Sequence, residues 1–330
     1  MPLFSFIIPV YNRPDEIGEL LDSLTKQTEG DFEIIVVEDG SSINCQHIIE
    51  QYENYFPLYY YEIPNGGPGQ ARNYGAAEAE GDYLIILDSD CILPPGYVAA
   101  VRRELTLTQA DAFGGPDNAS ENFTDVQKAI NYSMTSFFTT GGIRGGKKKM
   151  DKFYPRSFNM GIRRNVFETL GGFSRMRFGE DIDFSIRIYK GGYKVCLFNT
   201  AWVYHKRRTD WRKFWRQVYN SGIARINLYK KYPDSLKLVH IFPALFTLGV
   251  VLFLIGSLFC RWSLLPTLLY ALLIFVDASI RNKNLRIGLL SIIASYIQLT
   301  GYGCGFLSAV WNRIVLKKGA YSAFEQTFYN

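Results

Sequence analysis

Over the first 205 positions, short and nearly continuous apolar runs alternate with stretches whose apolar residues recur at helical spacing. "LFSFIIPV" precedes "YNRPDEIGELLDSLTKQ", in which Ile17, Leu20, Leu21 and Leu24 share one helical face. Asn12 is the expected N-cap of that helix, with Pro14 in its first turn. "FEIIVVEDGSS" stops at a Gly-Ser turn and gives way to the helix-like "CQHIIEQYENYF". "LYYYEI", the turn "PNGGPGQ", the helix "ARNYGAAEAE" and the strand "DYLIILDSD" continue the alternation. Strands with hardly a polar break are buried on both faces, which predicts an α/β domain with a mostly parallel sheet covered by helices on either side. From Ala112 to about Arg156 the periodicity is weak, and "TTGGIRGGKKKMDKFYPR" reads as a mobile basic loop near the ligand edge. The stretch from "FNMGIRRNVF" to "TAWVYH" then reads as strand, helix, loop, helix, strand and closes the domain.

The last third follows a different pattern. "LVHIFPALFTLGVVLFLIGSLFC" contains one ionisable residue, His240, and is long enough to cross a hydrocarbon core of about 30 Å. "WSLLPTLLYALLIFVDASI", with Asp277, and "LRIGLLSIIASYIQLTGYGCGFLSAVWNRIV", with Gly301, Gly303 and Gly305, extend the expectation to two or three membrane helices. The glycines allow a kink or a close helix contact.

Charge sharpens this division. Residues 1–205 carry 19 Lys/Arg against 27 Asp/Glu, a net of −8, and residues 206–330 carry 17 against 4, a net of +13. Interleaved with apolar runs, the basic half fits anionic membrane lipid as its partner and not nucleic acid. The segment 206–237 holds ten Lys/Arg together with Trp211, Trp215, Tyr219, Tyr229 and Tyr232, as expected of a helix lying in the headgroup region. By the positive-inside rule it keeps the preceding domain on the cytoplasmic face of the plasma (inner) membrane. Three regions follow: a catalytic domain over 1–205, an interfacial segment over 206–237 and a membrane region over 238–330. The five cysteines are scattered without zinc spacing or a disulfide framework.

In doubly covered parallel sheets, ligands sit at the carboxyl ends of the strands, where crossover loops and helix N-termini converge. Asp39, Arg72, Asp88 and Asp90 all fall at that edge. A D-x-D triplet after a buried strand brings two carboxylates to one divalent ion, and an oxygen set suits Mg²⁺ or Mn²⁺. Such an ion bridges phosphate oxygens and stabilises a departing diphosphate. A solvated Asp-Ser-Asp turn is the plainer alternative for the triplet alone. Asp181 stands just before a helical pattern, where the helix dipole favours its charge; the adjacent Asp183 suits an i, i+4 pair with Arg187. His205 ends a strand and fits either a third metal ligand or a hydrogen-bonded structural histidine. "PVYNRPDE" contains no G-x-G-x-x-G, which speaks against a dinucleotide-dependent oxidoreductase.

"FIIPVYNRPDEI", "EIIVVEDGSS", "GPGQARNYGAAEAEGDYLIILDSDCILPPGY" and "GGFSRMRFGEDIDFSIRI", in this order, resemble the signature blocks of the family-2 glycosyltransferases over roughly residues 3–220. The resemblance implies the GT-A fold, a nucleotide-sugar donor (UDP- or GDP-sugar), a divalent metal and inversion at the anomeric carbon. It implies that Pro9, Tyr11 and Asn12 border the nucleoside, that Asp39 hydrogen-bonds the base and that Arg72 approaches the phosphates. Glu38 stands where the family commonly shows an aspartate. Asp88 would face the ribose and metal, Asp90 would be the principal metal ligand, and Asp181 would be the catalytic base. "FWRQVYNSG" is similar to the Q-x-x-R-W element of processive members, but Asn220 and Ser221 replace Arg and Trp, against processive elongation. The expected activity is transfer of one sugar to a lipid-linked or glycan acceptor in envelope polysaccharide or glycolipid synthesis. A polyprenyl-phosphate glycosyl synthase and an inactive membrane scaffold are the alternatives.

Overall fold

The computed structural model describes residues 3–118, 123–141, 153–206 and 210–324. In chain order its elements begin with β1 (Phe4–Val10), α1 (Pro14–Thr25), β2 (Phe32–Asp39), α2 (Gln46–Ile49), β3 (Leu58–Ile63) and α3 (Pro68–Glu78). Then come β4 (Tyr83–Leu87), β5 (Cys91–Ile92), α4 (Tyr97–Thr108), β6 (Ala112–Gly114), β7 (Asp117–Asn118), α5 (Asp125–Thr135) and α6 (Phe137–Thr140). The chain continues through β8 (Asn159–Arg163), α7 (Arg164–Thr169), α8 (Glu180–Lys190), β9 (Val195–Leu197) and β10 (Val203–His205). It ends in four longer helices, α9 (Trp211–Lys231), α10 (Leu238–Gly256), α11 (Leu265–Asn282) and α12 (Leu285–Ala309).

Two compact units result, one from residues 1–120 and 152–206 and the other from 121–151 and 207–330. The division is therefore not a single cut: the stretch with weak periodicity contributes α5 and α6 to the helical unit. The α5 helix is fixed by a capping box, in which Thr124 Oγ1 accepts from Gln127 N–H and Gln127 Oε1 accepts from Thr124 N–H. The basic loop expected there lies largely outside the described residues, as do Arg207 and Arg208.

The first unit is a seven-stranded sheet in the order β3-β2-β1-β4-β8-β6-β9. Every neighbouring pair is parallel except those made by β8, which runs antiparallel to both β4 and β6. Alternate residues of each strand feed opposite faces. Phe4, Phe6, Ile8, Ile34, Val36 and Ile85 pack with Leu20, Leu21 and Tyr97 on one side; Ile7, Ile35, Val37, Leu84 and Ile86 pack with Ala71, Phe173 and Phe184 on the other. Each fully buried Phe or Ile contributes roughly 1.5–3 kcal/mol by leaving water. Pro9 is tolerated in an inner strand because the β4 side of the β1 ladder ends at Ile7. A second, small sheet in the order β5-β10-β7 forms past the end of β4.

Asn12 does not cap α1. The cap position is Arg13, whose side chain makes no capping hydrogen bond, because Pro14 keeps the residue before it out of the helical conformation. Asn12 takes a left-handed turn (φ 51°). Its Oδ1 accepts from Ser42 N–H at 2.8 Å and Ile43 N–H at 3.0 Å, so it joins the loop after β1 to the loop after β2. The helix expected over "CQHIIEQYENYF" is the single turn α2 followed by turns.

In the second unit, three helices are long and apolar enough to cross a membrane: Leu238–Gly256, Arg261–Asn282 and Leu285–Val315. The α12 glycines serve contact and not kinking. A Cβ on Gly305 would lie 2.0 Å from Tyr219 O of α9, and one on Gly303 would lie 2.4 Å from Pro243 O of α10. Gly222 returns the contact from α9, where a Cβ would stand 2.2 Å from Tyr302 O. One face of α9 is thus spent on α12. Asn220 exchanges two hydrogen bonds with the backbone of Ala323, and Ser221 Oγ donates to Gln217 O within its own helix. Asp277, the acid inside α11, accepts from Tyr132 OH at 2.6 Å and pairs with Arg281.

Candidate active site

β4 ends at Leu87, and the next three residues turn so that Asp88 and Asp90 stand at the carboxyl edge of the sheet. Their position follows from the strand: five consecutive buried residues make a rigid support whose first polar side chains emerge at its end. β10 pairs antiparallel with β5, with His205 opposite Cys91, and this brings the imidazole beside the acid pair. His205 Nε2 lies 3.1 Å from Asp90 Oδ1 and 3.9 Å from Asp88 Oδ2. Phe158 stacks on the imidazole at 4.8 Å and fixes its plane.

Asp90 and His205 are spaced as two ligands of a divalent ion, with Asp88 beside them. Ligands on adjacent corners of an octahedron, each about 2.1 Å from the ion, stand about 3 Å apart. The 3.1 Å between Nε2 and Oδ1 matches that spacing without rearrangement. Cys91 also lies within reach of Asp90 and His205, but its thiol is buried, donates to Phe158 O and is pushed well above its ordinary pKa by burial. A protonated thiol is no ligand for a hard cation.

Arg72 binds the parts together. Only 3% of its side chain is exposed; Nη2 lies 2.7 Å from Asp88 Oδ1, Nη1 lies 2.9 Å from Glu180 Oε1, and the guanidinium rests over Phe173. Burial works to lower the arginine pKa, yet the two carboxylates outweigh it and the net direction is upward. Glu180 opens α8 and directly precedes Asp181, so one buried cation joins the acid pair to the head of α8. Burial, followed by the charge of Asp181, raises the Glu180 pKa from its ordinary value near 4.5 to about 7, with Arg72 opposing. Asn73 completes the support by bonding both backbone groups of Phe173.

Asp181 has 9% of its side chain exposed; Oδ1 accepts from Ile182 N–H at 2.8 Å and Oδ2 lies 2.6 Å from Arg156 Nε. Asp183 pairs with Arg187, as its spacing predicts, and Arg187 also donates to Leu170 O and Gly172 O. That arrangement is structural.

The remaining residues expected at the site lie at the neighbouring strand ends. Asp39 is buried and its carboxylate accepts from the amides of Gly66 at 2.7 Å and Gly67 at 3.0 Å. It thereby tethers the start of α3, the helix that carries Arg72. Burial raises its pKa and the two amide bonds oppose that. Glu38 accepts from Ser41 Oγ and Cys45 N–H; the longer side chain shapes the loop after β2. Pro9 and Tyr11 are half-buried at the end of β1. Arg13 was not expected here, yet its Nη1 pairs with Asp90 Oδ2. "YNRP" offered the signal, since a residue between Asn12 and Pro14 must emerge at this edge. Arg156 and Glu180 were likewise unforeseen.

A mostly parallel seven-stranded sheet, a D-x-D pair with a histidine past its fourth strand and a carboxylate at the head of a facing helix together define a GT-A type transferase. The family model described as glycosyl transferase family 2 matches residues 5–171, half of the chain, and the chain belongs to that family. It is 28% identical over 69% of its length to the probable glycosyltransferase YdaM of Bacillus subtilis, of which the match spans 56%. A 94-residue stretch, 27% of the chain, is 40% identical to the poly(ribitol-phosphate) beta-N-acetylglucosaminyltransferase TarS of Staphylococcus aureus, covering 16% of that protein. The crystal structure of TarS residues 1–349 with UDP superposes with a TM-score of 0.51 at 22% identity, over 69% of this chain and 66% of that one. The mannosyltransferase PcManGT of Pyrobaculum calidifontis, solved with GDP-Man and Mn²⁺, superposes with a TM-score of 0.62 at 16% identity, over 94% of this chain and 88% of that one. The chain thus spans about half the length of YdaM and a small part of TarS.

Proposed function

We propose that the chain is a membrane-anchored, metal-dependent, inverting glycosyltransferase that moves one sugar from a UDP- or GDP-sugar to an acceptor hydroxyl at the cytoplasmic face of the plasma membrane. One observation carries this reading: through Arg72, the acid pair after β4 and the carboxylate opening α8 belong to one connected site. A donor held at the strand ends and an acceptor presented to Asp181 would therefore meet over a short distance.

Asp88, Asp90 and His205 would hold Mg²⁺ or Mn²⁺, which when bound supplies a Lewis acid that stabilises the departing diphosphate. Asp181 takes the hydroxyl proton of the acceptor as its oxygen bonds to the anomeric carbon from the face opposite the leaving group. The bond from that carbon to the phosphate oxygen breaks, and the diphosphate leaves with the electron pair. A single displacement of this kind inverts the configuration. Glu180 and Arg72 hold the head of α8 in register with Asp88. Donors of both kinds accompany solved structures of the same fold, UDP-GlcNAc with TarS and GDP-Man with Mn²⁺ with PcManGT. The three long apolar helices and the basic segment before them support the membrane assignment. A lipid-linked or membrane-proximal glycan is the acceptor that such an anchor would serve.

The test uses the detergent-solubilised full chain with radiolabelled UDP- and GDP-sugars and a membrane extract as acceptor source. Sugar transfer should require Mn²⁺ or Mg²⁺, and equal turnover in excess chelator contradicts the proposal. In Asp181→Asn, donor binding should persist while transfer falls by roughly 10²- to 10⁴-fold; full activity would reassign the base.

A further inference from the structure

Arg156 sits against the proposed base in an unusual way. The segment that carries it is pinned to α8: Ser185 Oγ donates to Pro155 O at 2.9 Å, Tyr189 OH donates to Phe153 O at 2.6 Å, and the Tyr154 ring packs edge-on against Tyr189 at 5.7 Å. Arg156 O also accepts from Asn159 N–H at 3.0 Å. The backbone beneath the side chain is thus firmly held. The guanidinium itself is not. Its ion pair is with Asp181, Nε to Oδ2 at 2.6 Å, and among the described residues Nη1 and Nη2 make no hydrogen bond, with 37% of the side chain open to solvent. Arg187, by contrast, uses all three nitrogens on Asp183, Leu170 O and Gly172 O. An arginine that serves stability closes its fork on protein oxygens, as Arg187 and Arg72 do. Arg156 keeps its fork unspent beside the carboxylate that must receive the acceptor.

We infer that Arg156 recognises the acceptor, and that the acceptor carries an oxyanion, a phosphate or a carboxylate, next to the attacking hydroxyl. This rests on the assignment of Asp181 as base. An entering oxyanion accepts two parallel N–H bonds from the guanidinium, a match of planar fork to paired oxygens. Drawing the guanidinium toward itself, it frees Oδ2 for the hydroxyl proton. A neutral acceptor offers the guanidinium nothing, and Oδ2 stays covered. Selectivity for an anionic acceptor is therefore built into the contact that guards the base.

Three glycosides that differ in one group test this: octyl β-glucoside, its 6-phosphate and octyl β-glucuronide. Binding of each to the full chain loaded with UDP and Mn²⁺ is measured by calorimetry, for the wild type, Arg156→Gln and Arg156→Lys. The wild type should bind the phosphate or the glucuronide well ahead of the neutral glycoside, and which of the two leads identifies the source of the charge. Arg156→Gln should weaken the charged glycosides by roughly 10- to 100-fold and leave the neutral one unchanged, the scale expected for a lost hydrogen-bonded charge contact. Arg156→Lys, which keeps the charge but loses the fork, should recover part of the affinity. Equal affinities across the three, no binding of any, or an Arg156→Gln protein that keeps the wild-type preference would overturn the inference. Donor hydrolysis without acceptor, run on the same wild-type preparation, separates the two failures: if it still requires the metal, only the role of Arg156 falls.

Discussion

Replacing Arg72 by methionine keeps the apolar stem and removes the charge that joins Asp88 to Glu180. Taking one partner from a buried ion pair costs about 3–5 kcal/mol, because the remaining charge has neither water nor a counter-ion. The two acids differ in how far they feel this. Asp88 has 32% of its side chain exposed and can regain water, whereas Glu180 has 9% and must take up a proton. Burial already lifts Glu180 to about 7 with Arg72 in place, so without the arginine it would be protonated near neutral pH at modest further cost. The net loss should therefore lie near the lower bound, about 3 kcal/mol at pH 8, and be smaller at pH 6. For a unit of this size that is a fall of about 6–12 °C in Tm. Thermal unfolding of the detergent-solubilised chain, followed by circular dichroism at both pH values, measures it. Arg72→Met/Glu180→Gln should be less destabilised at pH 8 than the single mutant, since the stranded acid is gone. A loss under about 1 kcal/mol, equal at both pH values and unchanged in the double mutant, would refute the bridge as the link between acid pair and helix.

Glu180 carries a prediction of its own. Its folded-state pKa is raised from near 4.5 to about 7, so the folded chain holds a proton that the unfolded chain has already released. Stability should consequently fall as the pH rises across that window; Glu180→Gln should flatten this part of the Tm profile, and an unaltered slope would locate the titration elsewhere. Gly305→Ala sets a Cβ against Tyr219 O at 2.0 Å and should cost about 1–3 kcal/mol as α9 and α12 are forced apart. Gly319→Ala, with nothing within 4 Å, should leave Tm unchanged. If the two substitutions behave alike in thermal melts, the close helix contact is wrong. Asn12→Ala should lower donor affinity measured by calorimetry, because it removes the acceptor that joins the loops after β1 and β2; unchanged affinity would show that this junction does not shape the donor site.

The inner strands were legible because burial on both faces leaves an unbroken apolar run; Asp39, Asp88 and Asp90 were legible because they close such runs, and Asp181 because it precedes a helical pattern. The three apolar helices announced themselves by length alone. α5 was missed, although Thr124 and Gln127 form a capping box and Ala129, Ile130 and Met134 share a buried face; the glycines and lysines that follow diluted its period. Asn12 was misread as a cap because a side-chain acceptor before a helix has two possible targets, and only the positions of Ser42 and Ile43 decide between them. β8 looked like any other strand, since an apolar run carries no sign of its direction. Arg13, Arg156 and the partners of Arg72 were hidden for a different reason. Each of these ion pairs joins residues 16 to 108 positions apart, and no local spacing encodes a contact made by the folding of distant strands onto one edge. The sequence therefore disclosed Arg72 and the acids at the strand ends and withheld Arg13, Arg156, Glu180 and the pairings among them.

The measurement that bears most directly on the proposed chemistry is anomalous diffraction at the manganese edge from crystals grown with UDP and MnCl₂. One peak about 2.1 Å from an Asp90 carboxylate oxygen, with Asp88 or His205 also in its coordination sphere, is the predicted result. A manganese peak bound to the nucleotide but away from Asp88, Asp90 and His205 would contradict it.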